Sequence, residues 1–290
     1  MTAGGSTIVT ITGTGCPVPS PDRAGPGVLV RSGPVALQFD AGRSTVQRLA
    51  QCGLWPNDLT ALFVTHHHSD HLTGLADLVL TRWVMDRSGD GRPLPIVAPT
   101  GPATRFVERM LDPWIDDIAV RNEHTGRGTR PDPEIVGFDL PSVPTVVWQH
   151  DDVTVSAMQV RHEPVPAAVG YRIDTPHGRI AITGDTLVCD EVAMLAEGAD
   201  VLVYEAMRFE PIEQLPAHRR FVLDYHADTR LIGTQAAALG VGTLVLTHLI
   251  PEPVDEAARQ RFVADVRGGG FDGTLIVADD LASVTLPAGR

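Results

Sequence analysis

A chain of 290 residues with 43% hydrophobic and 20% charged residues is long enough to bury a large core and has the composition of a soluble globular protein. No apolar run approaches the ~20 residues of a membrane-spanning helix, and residues 1–6 lack the basic and apolar regions of a signal peptide, so no membrane association and a cytoplasmic location are expected. The net charge of −13 makes nucleic acid an unlikely partner, because a protein that holds phosphate backbones needs Lys and Arg to displace their counterions.

Residues 7–12 alternate in the manner of a strand and run into Gly13-Thr14-Gly15-Cys16-Pro17-Val18-Pro19. Two prolines stand where a dinucleotide loop would need a helix, and no third glycine is correctly placed, so a nucleotide site is excluded. Residues 28–30 and 35–39 read as strands joined by Arg31-Ser32-Gly33-Pro34. Asp40-Ala41-Gly42 closes the second, and Ser44 is expected to cap a two-turn helix through Leu49 and Ala50.

The apolar run Leu62-Phe63-Val64 precedes Thr65-His66-His67-His68-Ser69-Asp70-His71, and Leu72-Thr73-Gly74-Leu75 opens a helical pattern after it. The cluster therefore sits on a strand-to-helix turn. Side chains alternate in an extended segment, so His66 and His68 can grip one ion, while Asp70 and His71 come after the turn begins and can face a second. Imidazoles with a carboxylate suit zinc, iron or manganese better than calcium or magnesium. A lone histidine here would read as a solvated turn residue, but four ligand types at this spacing point to a metal site.

Leu75–Met85 carries Leu75, Leu78, Val79 and Trp83 at helical spacing. Residues 96–98 form a short strand, and Pro99-Thr100-Gly101-Pro102 leads into a helix with Phe106, Val107, Met110 and Trp114. The proline- and glycine-rich stretch 121–150 reads as loops or an inserted hairpin. The strand 153–160 ends at Arg161-His162-Glu163-Pro164, followed by strands 169–173 and 178–182, the latter running into Thr183-Gly184-Asp185-Thr186. Residues 200–206 form a buried strand carrying Glu205, His226-Ala227-Asp228-Thr229 opens a helix, and residues 243–248 form a strand ending in His248. A helix over 254–266 and strands over 274–278 and 283–286 complete the chain. No linker divides it, so one domain over 1–290 is expected. Cys16, Cys52 and Cys189 are widely spaced and read as small buried side chains rather than a disulfide framework or a thiolate zinc site.

The 66–71 motif resembles the signature of the metallo-β-lactamase fold superfamily. Gly-Thr-Gly-x-Pro-x-Pro with Arg23-Ala24-Gly25-Pro26, His162 before the Gly-Tyr-Arg-Ile strand, the Glu205-Ala206 element and the helix-opening His226 are similar to its ribonuclease Z and arylsulfatase-like branch. The resemblance covers nearly the whole chain and implies a four-layer αββα sandwich of the α/β class. It implies that His66, His68 and His162 hold a first metal and Asp70, His71 and His248 a second, with Asp185 bridging them. Asp185 as a plain helix cap and His226 as a solvated helix start are the alternatives.

Two Zn2+ ions are the expected cofactors, with Mn2+ or Fe2+ possible, and two such cations supply hydroxide from water near neutral pH. Asp70, His226 and Glu205 are the candidate catalytic residues: His226, its tautomer set by Glu205, is placed to protonate a leaving alkoxide. The resemblance also implies tRNA 3′-end processing, but ribonuclease Z carries a long basic arm between its third histidine and bridging aspartate, and here His162 and Asp185 lie only 23 positions apart. A small-molecule substrate, a phosphodiester or sulfate ester, is therefore expected, with a lactone or other carboxylic ester, an RNA or a di-iron function as alternatives. The arginines of the 206–225 stretch, Arg208, Arg219 and Arg220, could receive an anionic group or be surface charges. A homodimer is possible by the same resemblance.

Overall fold

A computed structural model of the chain describes residues 5–86, 89, 91–126 and 128–287, so most of the 1–6 stretch read above lies outside the described residues. Among them the strands are β1 (Thr7–Gly13), β2 (Gly27–Ser32), β3 (Val35–Phe39), β4 (Ala61–Phe63), β5 (Pro95–Pro99), β6 (Glu134–Phe138), β7 (Thr145–His150), β8 (Val153–Gln159), β9 (Val169–Thr175), β10 (Gly178–Ile182), β11 (Val201–Met207), β12 (Thr243–Ile250), β13 (Thr274–Val277) and β14 (Ser283–Leu286). They form two sheets, ordered β14-β1-β2-β3-β4-β5-β6 and β13-β12-β11-β10-β9-β8-β7. In each sheet antiparallel strands give way to a parallel run, β3 to β6 in one and β10 to β13 in the other. Parallel strands need covering on both faces, which is why β11 is buried at every residue and reads as an apolar run interrupted only by Glu205.

The sheets face each other across a core of Val9, Ile11, Val30, Leu37, Phe39 and Phe63 from one and Val155, Tyr171, Ile173, Ile182, Val203 and Val245 from the other. Phe39 and Phe63 stack with centroids 4.7 Å apart, and the Tyr171 hydroxyl donates across the gap to the Val64 carbonyl at 2.6 Å. Helices cover the outer faces: those carrying Leu49, Leu75, Leu78 and Val107 lie on the first sheet, and those carrying Val192, Ile232, Ala236 and Phe262 on the second. This is the αββα sandwich, its four layers set by two amphipathic sheets that each bury a second face under helices.

Three local expectations are corrected. Ser44 precedes the helix Thr45–Gln51 as expected, but it sits at φ +67 and makes no side-chain cap; the Thr45 hydroxyl instead donates to the Gly42 carbonyl at 2.8 Å. The 121–150 stretch is not a loop or an inserted hairpin. After the helix Ile115–Thr125 it supplies β6 and β7, edge strands of different sheets, and Pro131, Pro133, Pro141 and Pro144 punctuate them rather than interrupt them. The strand expected to end at His248 continues to Ile250.

Candidate metal centre

The site lies at one end of the sandwich, beyond the C-terminal ends of β4, β10 and β11. His66 to His71 follow β4 and enter the short helix Ser69–Leu72; His162 follows β8 and Asp185 follows β10. The sequence supplies each turn. Gly184 takes φ +61, and a Cβ there would lie 2.8 Å from the Cβ of Thr65, so only glycine lets the two loops meet just before Asp185.

His248 arrives by a different device. Glu205 pairs with Thr247 but Ala206 with Leu249, leaving His248 as the extra residue of a bulge, at φ +47. Continuing the strand without that slip would aim its ring elsewhere.

All seven predicted metal-binding side chains come together. Ligand atoms of His66, His68, His162 and Asp185 lie within 4.8 Å of one another, as do those of Asp70, His71 and His248, and those of Asp185, His226 and His248. Asp185 stands between the first two groups, with Oδ1 3.4 Å from His71 Nε2 and Oδ2 3.4 Å from His248 Nε2 and 3.8 Å from His66 Nε2. All are buried except the half-buried His68.

The donor set fits a divalent cation. Buried His66 Nε2, His71 Nε2 and Asp185 Oδ1 have no hydrogen-bond partner among the described residues, and buried polar atoms left so are costly. His162 Nε2 and His68 Nδ1 face each other at 3.3 Å, an arrangement that a cation between two lone pairs satisfies.

The outward nitrogens are anchored. His71 Nδ1 donates to Asp40 Oδ2 at 2.7 Å and His162 Nδ1 to the Tyr225 carbonyl at 2.8 Å. His66 Nδ1 lies 3.0 Å from the Thr65 hydroxyl, which itself donates to Asp40 Oδ2 at 2.8 Å. Each bond holds a proton on Nδ1, so that the neutral ring, the form a metal binds, turns an Nε2 lone pair into the site.

Asp40 was read from sequence only as the close of a strand. It holds Thr65 and His71 together and takes φ +55 to do so. An aspartate before Ala-Gly has ordinary turn chemistry, which hides that role.

Charge follows the geometry. Burial, then the neighbouring His71, pushes the His66 pKa well below its usual value, and burial with His162 lowers that of His68 to about 4. His71 is as buried, yet Asp185 and Asp40 outweigh burial and hold its pKa well above the usual range. Asp185 resists the same burial because His248 and His71 keep it ionised, its pKa well below the usual carboxylate value.

The candidate catalytic pair is also assembled. Glu205, at the bulge on β11, accepts His226 Nδ1 at 3.0 Å and the backbone N–H groups of Ala227 and Thr186 at 3.0 and 3.2 Å. His226 is buried rather than a solvated helix start; Asp228, not His226, caps the helix Thr229–Leu239. Burial opposes its charge, but Glu205 prevails and raises its pKa. Asp70 Oδ2 lies 3.3 Å from His248 Nε2, among the metal-binding groups.

A family model described as a β-lactamase superfamily domain matches residues 36–249, from β3 through the His248 bulge. The chain belongs to the β-lactamase superfamily. Within that superfamily its relatives are on the ribonuclease Z branch. The ribonuclease Z of Mycobacterium bovis (strain BCG / Pasteur 1173P2) is 38% identical over 279 residues, covering 95% of this chain and 97% of the relative. That of Mycolicibacterium gilvum (strain PYR-GCK) is 38% identical over 284 residues, covering 97% and 96%. The solved metallo-β-lactamase fold protein YhfI from Bacillus subtilis superposes with a TM-score of 0.73 at 21% identity, over 97% of this chain and 99% of that one, and supports the fold alone.

These superfamily relatives overturn the expected partners, a small-molecule substrate with nucleic acid unlikely: proteins that match almost the full chain are named ribonucleases. Two physical reasons explain the error. Net charge sums the whole surface and says nothing of the field at one edge. The short spacing from His162 to Asp185 does not discriminate either, because a relative aligned over 97% of its own length has no room for a long insertion. The sulfatase-like reading finds no counterpart in these relatives. Among the described residues no helix is long and apolar enough to cross a membrane.

Proposed function

We propose that this chain is a metal-dependent phosphodiesterase that cleaves RNA, with tRNA 3′ ends as the substrate class its branch suggests, and that residues 1–290 act as one cytoplasmic hydrolase unit. The observation that carries the reading is the pairing of full-length similarity to ribonucleases Z with a buried His/Asp cluster whose lone pairs converge. In this reading His66, His68 and His162 hold one Zn2+, Asp70, His71 and His248 a second, and Asp185 contacts both. Bound cations of this kind lower the pKa of water toward neutrality and neutralise phosphate oxygens.

The chain's own residues supply the proton. Glu205 fixes the Nδ1 proton of His226, so the imidazolium gives its Nε2 proton to the departing alkoxide oxygen. Burial opposes that proton, but Glu205 outweighs it and raises the His226 pKa, which favours the protonated form.

The test is to load the full chain with zinc, count metal by elemental analysis, and assay RNA with a 3′ extension beside aryl phosphodiesters, aryl sulfates and lactones. RNA cleavage with about two metals per chain is expected. Protein that carries its metal, hydrolyses sulfates or lactones and leaves RNA intact would refute the reading. His226→Ala should cost about 10²- to 10⁴-fold in turnover with metal content retained; loss of metal would make His226 a ligand instead.

A further inference from the structure

The 3₁₀ segment Ala217–Asp224 runs directly into Tyr225 and His226 and carries His218, Arg219, Arg220 and Phe221, all exposed. Its arginines differ from the third one in the 206–225 stretch. Arg208 is buried, its Nε 2.6 Å from Asp265 Oδ2, and it is unavailable to a ligand. Arg220 only donates to the Leu215 carbonyl, and no carboxylate pairs with Arg219 or Arg220 among the described residues.

Phe221 is 57% exposed and lies 6.2 Å, centroid to centroid, from Tyr225. The Tyr225 ring in turn rests against His226 at 4.8 Å and His162 at 5.1 Å, while its carbonyl anchors His162. Two aromatic faces therefore lead from solvent to the proton donor, flanked by two guanidinium groups that no carboxylate pairs among the described residues, on a protein whose net charge is −13.

An exposed phenylalanine beside arginines without carboxylate partners is an odd surface for an acidic protein, and single-stranded RNA explains both. Bases stack on aromatic faces regardless of sequence, and guanidinium groups hold the adjoining phosphates. We infer that residues 217–225 form the substrate-strand platform of the site: Phe221 and Tyr225 stack the bases next to the scissile phosphodiester, and Arg219 and Arg220 hold the phosphates beside them. The inference rests on the RNA reading above. It assigns the strand contact to this segment rather than to an inserted arm between His162 and Asp185, where the chain carries only the β9–β10 hairpin.

The test compares zinc-loaded full-length wild type, Phe221→Ala, Phe221→Tyr and the double variant Arg219→Ala/Arg220→Ala on a 3′-extended RNA and on bis(p-nitrophenyl) phosphate. Losing one stacked base should raise the RNA KM of Phe221→Ala about tenfold relative to any change on the small diester, and Phe221→Tyr should restore it. The double arginine variant should flatten the dependence of log KM on log salt by about 0.7 for each phosphate released. Wild type that cleaves RNA while all three variants keep its KM and salt slope would overturn the platform and leave the RNA reading standing. Wild type that cleaves the small diester and no RNA would overturn both.

Discussion

Asp40 shows how much of the site is set one residue away from the proposed ligands. Its two oxygens accept the Thr65 amide, the Thr65 hydroxyl and His71 Nδ1, so one carboxylate orients His71 directly and His66 through Thr65. Asp40→Ala should weaken zinc affinity by about 10- to 100-fold in a chelator competition while the other ligands remain; unchanged affinity would mean that packing alone sets the two rings. The same carboxylate makes a proton measurement possible. Burial opposes the charge of His71, but Asp185 and Asp40 outweigh it and raise its pKa above the unfolded value, which favours the charged ring in metal-free protein. Its stabilising contribution there is complete below about pH 6.5 and is lost as pH rises through the raised folded value. A metal ligand must be neutral, so zinc binding at pH 7 should release a proton, seen as a binding enthalpy that changes with the ionisation enthalpy of the buffer. Identical enthalpies across buffers would show that His71 is already neutral.

At the scale of elements, the parts most legible in the sequence were those in which local pattern and tertiary role agree. The apolar run of β11 on either side of Glu205, the alternation of β1 and the strand-to-turn placement of residues 65–71 each follow from burial on one or both faces. Two of the four edge strands were not legible: β6 and β7 are half-exposed, so their apolar residues carry no clear period, and prolines at their ends read as loop. The bulge that turns His248 inward was equally hidden, because it depends on the register against β11, a long-range pairing that no local spacing records. The loop before Asp185 depends on such a pairing too, and here a glycine betrays it. Gly184→Ala would force a non-glycine residue to φ +61, at a cost of about 1–2 kcal/mol, and would drive its Cβ against Thr65, the residue that anchors His66. Thermal stability and zinc content should therefore fall together; a lower melting temperature with full zinc content would break the proposed link from Gly184 to His66.

For the whole molecule, the seven proposed ligands are divided between the sheets. His66, His68, Asp70 and His71 follow β4 of the first, whereas His162, Asp185 and His248 come from β8, β10 and β12 of the second. At this end the two layers share the core and are joined by the Tyr171 hydroxyl to the Val64 carbonyl, the Val169 N–H to the Thr65 carbonyl at 3.0 Å and the Leu249 N–H to the Thr14 carbonyl at 3.1 Å; a cation would add bonds from both ligand groups. Without metal, Asp185 relies on His71 and His248 for compensation, and the lone pairs of His68 and His162 oppose each other. A metal held by the seven proposed ligands would bind this folded arrangement and not the separated sheets, and so would stabilise by mass action: about 4 kcal/mol when free zinc is a thousandfold above its dissociation constant. For a chain of this length that corresponds to a rise in melting temperature of about 7 °C. Stripping the protein with a chelator should lower the melting temperature by that amount, and returning zinc should restore it. An unchanged melting temperature, with metal loss verified by elemental analysis, would show that the sheets hold the cluster together on their own and that the cation is not a clamp between them.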